Sequence, residues 1–425
     1  VIAENFAHNL EKIIDKLDIG VIITTSIGEL LGSLKGGMIN FVIKTVKRGV
    51  PKFNLKNAVN FKTALKEGKK FEIPEFKSSE YDVILHQYTG GTTGVSKGAM
   101  LTNRNLVSNM LQMKHWMQGS LRNDQEIALS PLPMYHIFAF SLNSLALMAL
   151  GSMTILVTNP RDLKSVIKEF SKNDITIMTG INTLFNALLN QDDFKAVDFS
   201  KLKVTIGGGM AVQVPVAEEW KKVTGVTLTE GYGMTEASPV VSVNPIDGSA
   251  RLGTIGMPVP STDIRIVDDE GNDLEAGGVG ELLVKGPQVM KGYYKRPEET
   301  SKTVVDGWLA TGDIATLDSD GYLKIVDRKK DMILVSGFNV FPNEIEEVIA
   351  AHPKVLEVAA VGKPDEKSGE VVRVCIVKKD KSLSEKEIIE YCRENLTGYK
   401  VPKVVDFMKE LPKSGVGKIL RKDLR

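Results

Sequence analysis

Short apolar runs alternate with helical patterns of apolar and polar residues between Tyr81 and about Val240. The runs include YDVILHQY, MTILVT, ITIMTG, KVTIGGG and VTLTEGYG, and stretches such as DLKSVIKEFSKN and VQVPVAEEWKKVT lie between them. This alternation predicts βαβ units and a largely parallel sheet. The pattern therefore indicates an α/β fold.

After about Ile246 the helical patterns become rare and turn signals such as DDEGN, EAGG and DSDG appear. They predict a β-rich subdomain over residues 246–327. The charged run VDRKKD follows and marks a domain boundary near Arg328. We therefore expect a large domain over residues 1–327, with layered α/β sheets, and a domain boundary within residues 327–331.

Strand-like and helix-like patterns alternate over residues 328–425, which predicts a small α+β domain. VLEVAAVG and EVVRVCIVKKD read as strands, and NEIEEVIAAH reads as an amphipathic helix that Asn343 is placed to cap. A second helix, SEKEIIEYCREN, opens with Ser384 and Glu387 at capping-box spacing.

Residues 1–80 read as helix and loop, and their charge is unevenly distributed. No acidic residue occurs between Leu30 and Lys66. Apolar residues recur at helical spacing from Ile39 to Val50, with Lys44, Lys47 and Arg48 on other faces. This pattern predicts a basic amphipathic helix within the basic segment, residues 35–66. It is either a peripheral docking site for an anionic membrane or the solvated face of a buried helix.

Composition narrows the functional classes. A length of 425 residues predicts at least two domains, and a net charge of +1 gives no global field that favours nucleic acid. The two cysteines, Cys375 and Cys392, form no metal-binding pattern and suit a reducing compartment. No uninterrupted apolar run reaches the length of about 18 residues that a transmembrane helix needs. We expect a cytoplasmic protein.

The stretch YTGGTTGVSKGAM, Tyr88–Met100, is rich in glycine and hydroxyl side chains and follows an apolar run. It matches neither the Walker pattern nor GxGxxG, because Lys97 and the glycines are at the wrong positions. Glycines nevertheless let backbone N–H groups approach an anion, and threonines and a lysine add donors. The stretch predicts a triphosphate clamp, and the alternative is a surface loop.

Three further stretches carry candidate chemistry. In EGYGMTEASP, Glu236 suits Mg²⁺, Thr235 a phosphate and Tyr232 a stacked base, although a Gly-rich turn is the alternative. In GWLATGDIA, Asp313 is predicted in a turn, where its carboxylate accepts ribose hydroxyls or forms an Asx-turn. In LPKSGVGKILRKDLR, Lys418 follows two glycines and is either a reactive or a surface lysine.

With DRKKDMILVSGFNVFPNEIEEV, these stretches resemble, in order, the adenylate-forming (acyl-AMP) ligase superfamily. PLPMYHIFAF, TNPRD, GGGMAVQ and VKGPQVMKGYY resemble its bacterial long-chain fatty acid–CoA ligases. The resemblance implies ATP-dependent activation of a fatty acid to acyl-AMP, then transfer to coenzyme A, with ATP, Mg²⁺ and CoA as cofactor and co-substrates. It also implies a mobile C-terminal domain. Members of this family begin upstream of Val1, which implies that the large domain here is N-terminally incomplete.

The resemblance assigns roles to individual residues. Lys418, Glu236 and Thr235 match catalytic positions, and Thr92 and Glu236 match Mg²⁺ ligands. The positions that match ATP or AMP contacts are Thr89, Gly90, Gly91, Thr92, Thr93, Gly94, Lys97, Gly208, Gly209, Glu230, Gly231, Tyr232, Gly233, Thr235, Asp313, Arg328 and Lys418. The positions beside the acyl group are His136, Gly207, Gly208, Gly209 and Met210, and for His136 a core position is the alternative. Lys330 matches the hinge, and Gly337 lies on the face implied to approach CoA.

Two alternatives stay open beside the leading hypothesis. The chain is an acyl-adenylate ligase that loads a carrier protein, or a truncated chain that binds nucleotide or acyl ligand without turnover. The resemblance also implies a homodimer formed through the large domain, while the net charge argues against nucleic acid as a partner.

Overall fold

The computed structural model describes residues 1–89, 96–415 and 417–425. Contacts divide the chain into two units, Val1–Ser78 and Ser79–Arg425. Among the described residues, no helix has both the length and the apolar character needed to cross a membrane.

The first unit contains a small parallel sheet beside three helices. The strands are β1 (Ile2–Ala3), β2 (Ile23–Thr25) and β3 (Val59–Asn60), in the order β1-β2-β3. The helices are α1 (Ala7–Glu11), α2 (Ser33–Phe41) and α3 (Phe61–Gly68). The sequence predicted only helix and loop here, because strands of two or three residues are too short to show an alternating pattern.

The predicted basic amphipathic helix differs in extent from the helix in the structure. Helix α2 continues as a wider π-helical turn over Val42–Val46 and then ends, so Val50 lies outside it. Val46 is 70% exposed rather than buried on an apolar face. Lys44 pairs with Glu4 at 2.8 Å. The predicted single apolar face is therefore wrong, while membrane docking stays a prediction.

The first part of the second unit is the predicted α/β layer. Its strands are β4 (Val83–Thr89), β5 (Lys97–Thr102), β6 (Ile127–Ser130), β7 (Met153–Leu156), β8 (Ile177–Gly180), β9 (Val204–Gly207), β10 (Leu228–Gly233), β11 (Val240–Val243) and β12 (Met257–Pro258). Its helices are α4 (Asn103–Met117), α5 (Ile137–Ala139), α6 (Leu147–Ala149), α7 (Leu163–Lys172), α8 (Asn182–Leu189), α9 (Asp192–Lys195) and α10 (Val214–Thr224). A π-helical segment, Phe140–Ala146, joins α5 to α6.

A seven-stranded sheet in the order β12-β11-β10-β9-β8-β6-β7 forms the centre of this layer. Strands β7, β6, β8, β9 and β10 pair in parallel, so their carboxyl ends share one edge. Strands β8 and β9 are buried at every residue, as expected when helices cover both faces. Trp220 of α10 packs edge-on against Phe185 of α8 within this core. The predicted α/β fold is confirmed.

The β-rich region follows. Its strands are β13 (Asp263–Val267), β14 (Gly280–Lys285), β15 (Gly292–Tyr293), β16 (Val304–Val305), β17 (Trp308–Leu317) and β18 (Leu323–Arg328), with helix α11 (Pro297–Thr303). Five of them form an antiparallel sheet in the order β13-β14-β17-β16, with β18 also paired to β17. Strand β15 instead pairs with β5, which pairs with β4, so this small sheet flanks the predicted phosphate loop.

The C-terminal region has its own sheet and core. The strands are β19 (Ile333–Val335), β20 (Phe338–Val340), β21 (Val355–Asp365), β22 (Gly369–Lys378) and β23 (Val404–Met408), and the helices are α12 (Pro342–Ala350) and α13 (Glu385–Asn395). The sheet order is β20-β19-β22-β21, with β23 parallel to β22. The division into two units keeps this region with Ser79–Asp327. The predicted boundary at 327–328 therefore stays a prediction.

The two predicted helix caps have different outcomes. Ser384 caps α13 by accepting a hydrogen bond from the Glu387 N–H at 3.2 Å. Asn343 is not a cap, because α12 begins at Pro342 and Asn343 is already helical. The Asn343 N–H instead donates to the Asp327 carboxylate at 2.7 Å. A carboxylate distant in sequence thus takes over the capping function that a local pattern assigned to Asn343.

Candidate active site

A cavity of about 1520 Å³ lies in the second unit. It is lined by the carboxyl ends of β9 and β10, by residues of β17 and β18, and by the C-terminal segment that carries Lys418. Ligands of open α/β sheets bind at this edge of the strands. Most of the sequence-predicted site residues that the structure describes line this cavity.

The predicted phosphate clamp is described only at its two ends. Gly90, Gly91, Thr92, Thr93 and Gly94 lie outside the described residues. Thr89 ends β4, Lys97 begins β5, and both line the cavity. The Lys97 ammonium pairs with the Glu299 carboxylate at 2.5 Å and lies 5.1 Å from the centre of the Tyr293 ring. The Glu299 carboxylate therefore neutralises the positive charge of Lys97, which the sequence predicted to bind phosphate.

The glycine run at the end of β9 brings the chain close to other parts of the site. Gly207, Gly208, Gly209 and Met210 line the cavity together with Gly231 and Gly233 of β10. Gly209 has a φ of +78°, and a Cβ atom there would lie 3.3 Å from Cε of Lys418. A side chain at this position would be strained and would crowd the lysine. Position 209 therefore requires glycine.

Glu236 lies in a short turn of helix, Thr235–Ala237, that lines the cavity after β10. The Tyr293 hydroxyl donates a hydrogen bond to Oε1 of Glu236 at 2.7 Å, and Glu236 is buried. Burial and then the negative charge of Glu236 raise the pKa of Tyr293, so Tyr293 remains a donor. Sequence reasoning missed Tyr293, which lies 57 positions from Glu236.

Glu236 supplies one carboxylate, which is enough for Mg²⁺ that is bound together with a nucleotide. No group of three or more His, Cys, Asp or Glu side chains suited to a metal occurs in the described parts of the chain. Mg²⁺ bound to nucleotides uses one or two carboxylates and fills its other positions with water and phosphate oxygens. A single buried carboxylate beside a phosphate loop is compatible with that pattern, and Thr92, the other predicted ligand, lies outside the described residues.

Tyr232, Asp313 and Arg328 form one cluster in the cavity. The Tyr232 hydroxyl donates to Oδ2 of Asp313 at 2.5 Å, and Nε of Arg328 lies 3.5 Å from Oδ1 of Asp313. Burial raises the pKa of Asp313, and the positive charge of Arg328 opposes this shift. The predicted turn at Asp313 is wrong, because Asp313 lies inside β17, directly opposite Arg328 in β18.

Glu230 lies in β10 and accepts a hydrogen bond from the Val212 N–H at 3.1 Å. Burial raises the pKa of Glu230 to about 8, and the negative charge of Glu347 adds to the shift. Glu230 is therefore mostly protonated at neutral pH. A neutral carboxyl group in this position adds no negative charge to a site that is predicted to receive phosphates.

His136 is half-buried and lines the cavity just before α5. Its Nδ1 accepts a hydrogen bond from the Phe138 N–H at 3.3 Å, which caps α5. Burial and then the positive charge of Lys418 lower the pKa of His136 to about 4. His136 is therefore neutral at physiological pH. His136 thus lies on the cavity wall, and the acyl contact stays a prediction.

Lys418 is half-buried and reaches into the cavity, so the alternative of a surface lysine is wrong. Burial, followed by the positive charge of Arg328, lowers the pKa of Lys418 to about 8, while Asp313 and Glu236 oppose the shift. The Lys418 main chain exchanges bonds with Ser414: its N–H donates to Oγ at 3.2 Å and its carbonyl accepts the Ser414 N–H at 2.8 Å.

Arg421 anchors the segment that carries Lys418, and sequence reasoning missed it. Its guanidinium donates to Asp327 at 3.1 Å, to Glu346 at 3.0 and 2.8 Å, and to Asn343 at 2.6 Å. These partners lie 75 to 94 positions away in the sequence. The arginine three residues after the candidate lysine was visible in the sequence, but its distant partners were not.

The hinge and CoA-face residues differ in their relation to the cavity. Lys330 lines it, and burial and the charge of Arg328 lower the pKa of Lys330. Gly337 lies in the exposed turn between β19 and β20, with a φ of +84°, and is not among the residues that line the cavity. The structure therefore brings Lys418 into the cavity and leaves Gly337 outside it.

Comparisons with known proteins place the chain among adenylate-forming enzymes. The AMP-binding enzyme family matches residues 3–294, and the AMP-binding enzyme C-terminal domain family matches residues 344–418. The long-chain-fatty-acid–CoA ligase of Yersinia pestis is 54% identical over 100% of this chain and 76% of that protein. The long-chain-fatty-acid–CoA ligase of Bacillus subtilis is 41% identical over 81% of this chain and 62% of that protein.

Solved structures give the same picture. ATP-bound MatB from Rhodopseudomonas palustris aligns with a TM-score of 0.81 and 28% identity over 99% of this chain and 81% of that chain. The o-succinylbenzoate CoA synthetase of Bacillus subtilis, in complex with ATP and a magnesium ion, aligns with a TM-score of 0.75 and 26% identity over 98% of this chain and 81% of that chain.

Proposed function

The chain belongs to the AMP-binding enzyme family, and on that premise we propose that it converts a long-chain fatty acid, ATP and coenzyme A into acyl-CoA, AMP and pyrophosphate. The observation that carries this proposal is the convergence of Lys418, Glu236 and the Tyr232–Asp313 pair on one cavity. These residues come from separate parts of the sequence, and each has a chemistry that the reaction needs.

In the first step a carboxylate oxygen of the fatty acid attacks the α-phosphorus of ATP. An O–P bond forms, the bond between the α-phosphorus and the bridging oxygen breaks, and pyrophosphate leaves. The carboxylate is already ionised at neutral pH, so no general base is required. The main barrier is the repulsion between anions, which preorganised cationic and hydrogen-bonding groups reduce.

Lys418 and Lys97 are the cations proposed to offset this charge. Lys418 lies in the cavity close to Gly209, where the carboxylate and the α-phosphate are proposed to meet. Lys97 begins β5, shortly after the predicted phosphate clamp of residues 89–94 in the sequence, and lines the same cavity. Glu236 and Thr92 would hold Mg²⁺, which supplies further neutralisation of phosphate charge when it is bound.

The nucleoside is proposed to bind along the ends of β10, β17 and β18. The Asp313 carboxylate, held by Tyr232 and Arg328, suits two ribose hydroxyls as donors. The Tyr232 ring and the glycines Gly208, Gly209, Gly231 and Gly233 give flat and close surfaces for the base and the α-phosphate, with Glu230 neutral beside them. Thr235 adds a hydroxyl donor at the phosphate.

The acyl group is proposed to lie beside His136 and the run from Gly207 to Met210. These residues line the cavity, and the neutral imidazole of His136 adds no charge next to an apolar chain. In the second step the sulfur of CoA attacks the acyl carbonyl, the thiol proton is released to solvent, and AMP leaves with the electrons of the broken acyl–phosphate bond. Lys330 is proposed as the hinge, and Gly337 as part of the face that approaches CoA.

A direct test follows the products. Incubation of the protein with oleate, ATP, Mg²⁺ and CoA should give oleoyl-CoA and AMP in equal amounts, with pyrophosphate. Formation of ADP instead of AMP would contradict adenylate formation. Acyl transfer that depends on a carrier protein and not on CoA would contradict the assignment of the second substrate.

Three properties of the whole protein remain part of the proposal: a cytoplasmic location, a homodimer, and peripheral membrane contact through the basic segment. Lys35, Lys47 and Arg48 are exposed there, as are the apolar side chains of Met38 and Phe41. Mixed basic and apolar exposure suits an anionic lipid surface. Co-sedimentation with anionic vesicles at low salt tests the contact, and no binding above that to neutral vesicles would contradict it.

A further inference from the structure

Helix α8 reaches two main-chain carbonyl groups of the C-terminal region, one of them next to Lys418. Thr183 donates its hydroxyl to the Gly417 carbonyl at 3.2 Å, and Asn186 donates its amide to the Leu356 carbonyl at 2.7 Å. We infer that Thr183 and Asn186 are positioning residues that hold Lys418 in the cavity for adenylate formation. This inference rests on the proposed function, because it assigns them to its first step.

The Leu356 carbonyl is available to Asn186 because of an irregularity in β21. The pairing of β21 with β22 shifts register between Val355 and Glu357, which makes Leu356 an extra residue in the ladder. An extra residue of this kind leaves its backbone groups out of the regular pairing and redirects them. The bulge therefore turns the Leu356 carbonyl toward a partner outside its own sheet.

The Asn186 side chain is itself held in place. The amide of Asn190 donates to the Asn186 carbonyl at 2.8 Å and to Oδ1 of Asn186 at 3.2 Å. With its oxygen engaged by Asn190, Asn186 presents its NH₂ group to Leu356. A donor that is fixed before the C-terminal region docks costs less side-chain entropy when the bond forms.

The contact at Gly417 is equally restrictive. Gly417 has a φ of +83°, and a Cβ atom there would lie 2.8 Å from Cδ1 of Ile181, the residue before α8. The positive φ favours glycine at this position, and a larger residue would also require the Ile181 side chain to move. The start of α8 is fixed in turn, because Asn182 and Gln213 exchange two hydrogen bonds of 3.0 Å. The backbone beside Lys418 is thus held against a helix whose start is itself fixed by hydrogen bonds.

The hydrogen bonds from Thr183 and Asn186 to the C-terminal region matter most for adenylate formation. A lysine side chain is long and flexible, so the position of its ammonium depends on where its backbone is held. Adenylate formation brings a triphosphate and a carboxylate together, and a displacement of roughly 1 Å in such a site can cost a factor of about one hundred in rate. The second step begins after pyrophosphate has left, so less negative charge depends on Lys418.

The experiment compares the two half-reactions in matched variants. Thr183→Val removes the hydroxyl at nearly constant volume, and Thr183→Ser keeps it. Asn186→Leu removes the amide. For each, oleate-dependent ATP–pyrophosphate exchange measures the first step, and formation of oleoyl-CoA from supplied oleoyl-AMP and CoA measures the second. Circular dichroism and the thermal midpoint report on folding.

We expect Thr183→Val and Asn186→Leu each to lower the exchange rate about fivefold to tenfold, as loss of one hydrogen bond at a positioning contact predicts. Thr183→Ser should stay within about twofold of the wild type, and thioester formation should be retained in all three. If Asn186→Leu does not fold, the Val and Ser variants at position 183 decide the question.

Two results would overturn the inference. Equal loss in both half-reactions would indicate a general structural role, and unchanged exchange in Thr183→Val and Asn186→Leu would indicate no role at all. A wild-type protein without oleate-dependent exchange would instead contradict the proposed function, on which the inference depends. The wild-type control therefore separates failure of the inference from failure of the function.

Discussion

The Tyr293 hydroxyl lies 2.7 Å from Oε1 of Glu236 and donates a hydrogen bond to it. This bond joins β15, which pairs with β5 at the predicted phosphate clamp, to the turn after β10. Glu236 is buried, so it needs such a donor while no cation is bound. The relationship fixes the carboxylate that is proposed to hold Mg²⁺.

Tyr293→Phe should lower oleate-dependent exchange about tenfold, because the buried carboxylate loses a bond of the strong, charge-assisted kind. The measurement is exchange as a function of Mg²⁺ concentration. Tyr294→Phe is the matched control, since it changes the neighbouring tyrosine and leaves the bond to Glu236 in place. Equal rates in the two variants would contradict a role for the Tyr293–Glu236 bond.

Replacement of Lys418 should separate the two half-reactions. Lys418→Ala removes the cation from the cavity, and we expect exchange to fall by a factor of roughly one hundred or more, as for other preorganised electrostatic groups. Thioester formation from supplied oleoyl-AMP and CoA should be largely spared. Comparable loss in both assays would show that Lys418 does not serve the first step in particular.

The pH profile of the first step should reflect the pKa of Lys418, which burial and Arg328 lower to about 8. Lysine is charged below its pKa, so kcat/KM for ATP, which reports the free enzyme, should fall as pH rises through about 8. Glu230, with its pKa raised to about 8, gains a negative charge over the same range and adds to the fall.

Two variants separate these groups. Lys418→Arg keeps its charge throughout the range and should reduce the steepness of the decline, whatever its absolute rate. Glu230→Gln stays neutral, so it should remove the part of the decline that comes from ionisation of Glu230. A wild-type profile that is flat from pH 7 to 9 would contradict the low pKa values of both groups.

Glu299 should compete with ATP for Lys97. The two side chains form an ion pair of 2.5 Å at the start of β5. Glu299→Gln frees the ammonium, so we expect ATP to bind about twofold to fivefold more tightly at low salt, with a smaller gain at high salt. Lys97→Ala should weaken ATP binding and lower exchange strongly. Calorimetric titration with ATP measures both, and weaker binding in Glu299→Gln would contradict the competition.

Arg421 should contribute strongly to stability. Arg421→Gln leaves the buried carboxylate of Asp327 and the partly buried carboxylate of Glu346 without their cation. Breaking a buried pair in this way costs about 3–5 kcal/mol. Arg425, which pairs with Asp331 at 3.2 Å near the surface, provides the control. Arg425→Gln should cost about 1 kcal/mol or less. Urea denaturation measures both, and equal midpoints would contradict the proposed anchoring.

Features that depend on local patterns were predictable from the sequence. The parallel strands β8 and β9 appear as short apolar runs because they are buried on both faces, and the glycine-rich stretches appear because backbone must approach a ligand there. The cap at Ser384 follows from spacing alone. These features are encoded within a few neighbouring residues.

Features that depend on long-range pairing were not predictable. Asp313 follows Thr311 and Gly312, a combination typical of turns. The pairing of β17 with β14 is irregular between Ala310 and Ile314, and Gly312, with its positive φ, lies in this irregularity within a long strand. The partners of Arg421 and Tyr293 are distant in sequence, and no spacing rule connects them. The depressed pKa of Lys418 likewise arises from burial by the folded chain, so the sequence alone left it open as a surface residue.

The measurement that tests the central claim most directly is ATP–pyrophosphate exchange on this protein, with and without oleate. The account predicts exchange that requires both oleate and Mg²⁺ and that falls by a factor of roughly one hundred or more in Lys418→Ala. It also predicts that added CoA draws the acyl group into oleoyl-CoA with release of AMP. Absence of exchange in the folded protein, or exchange that does not depend on a fatty acid, would contradict the claim that this cavity forms an acyl adenylate.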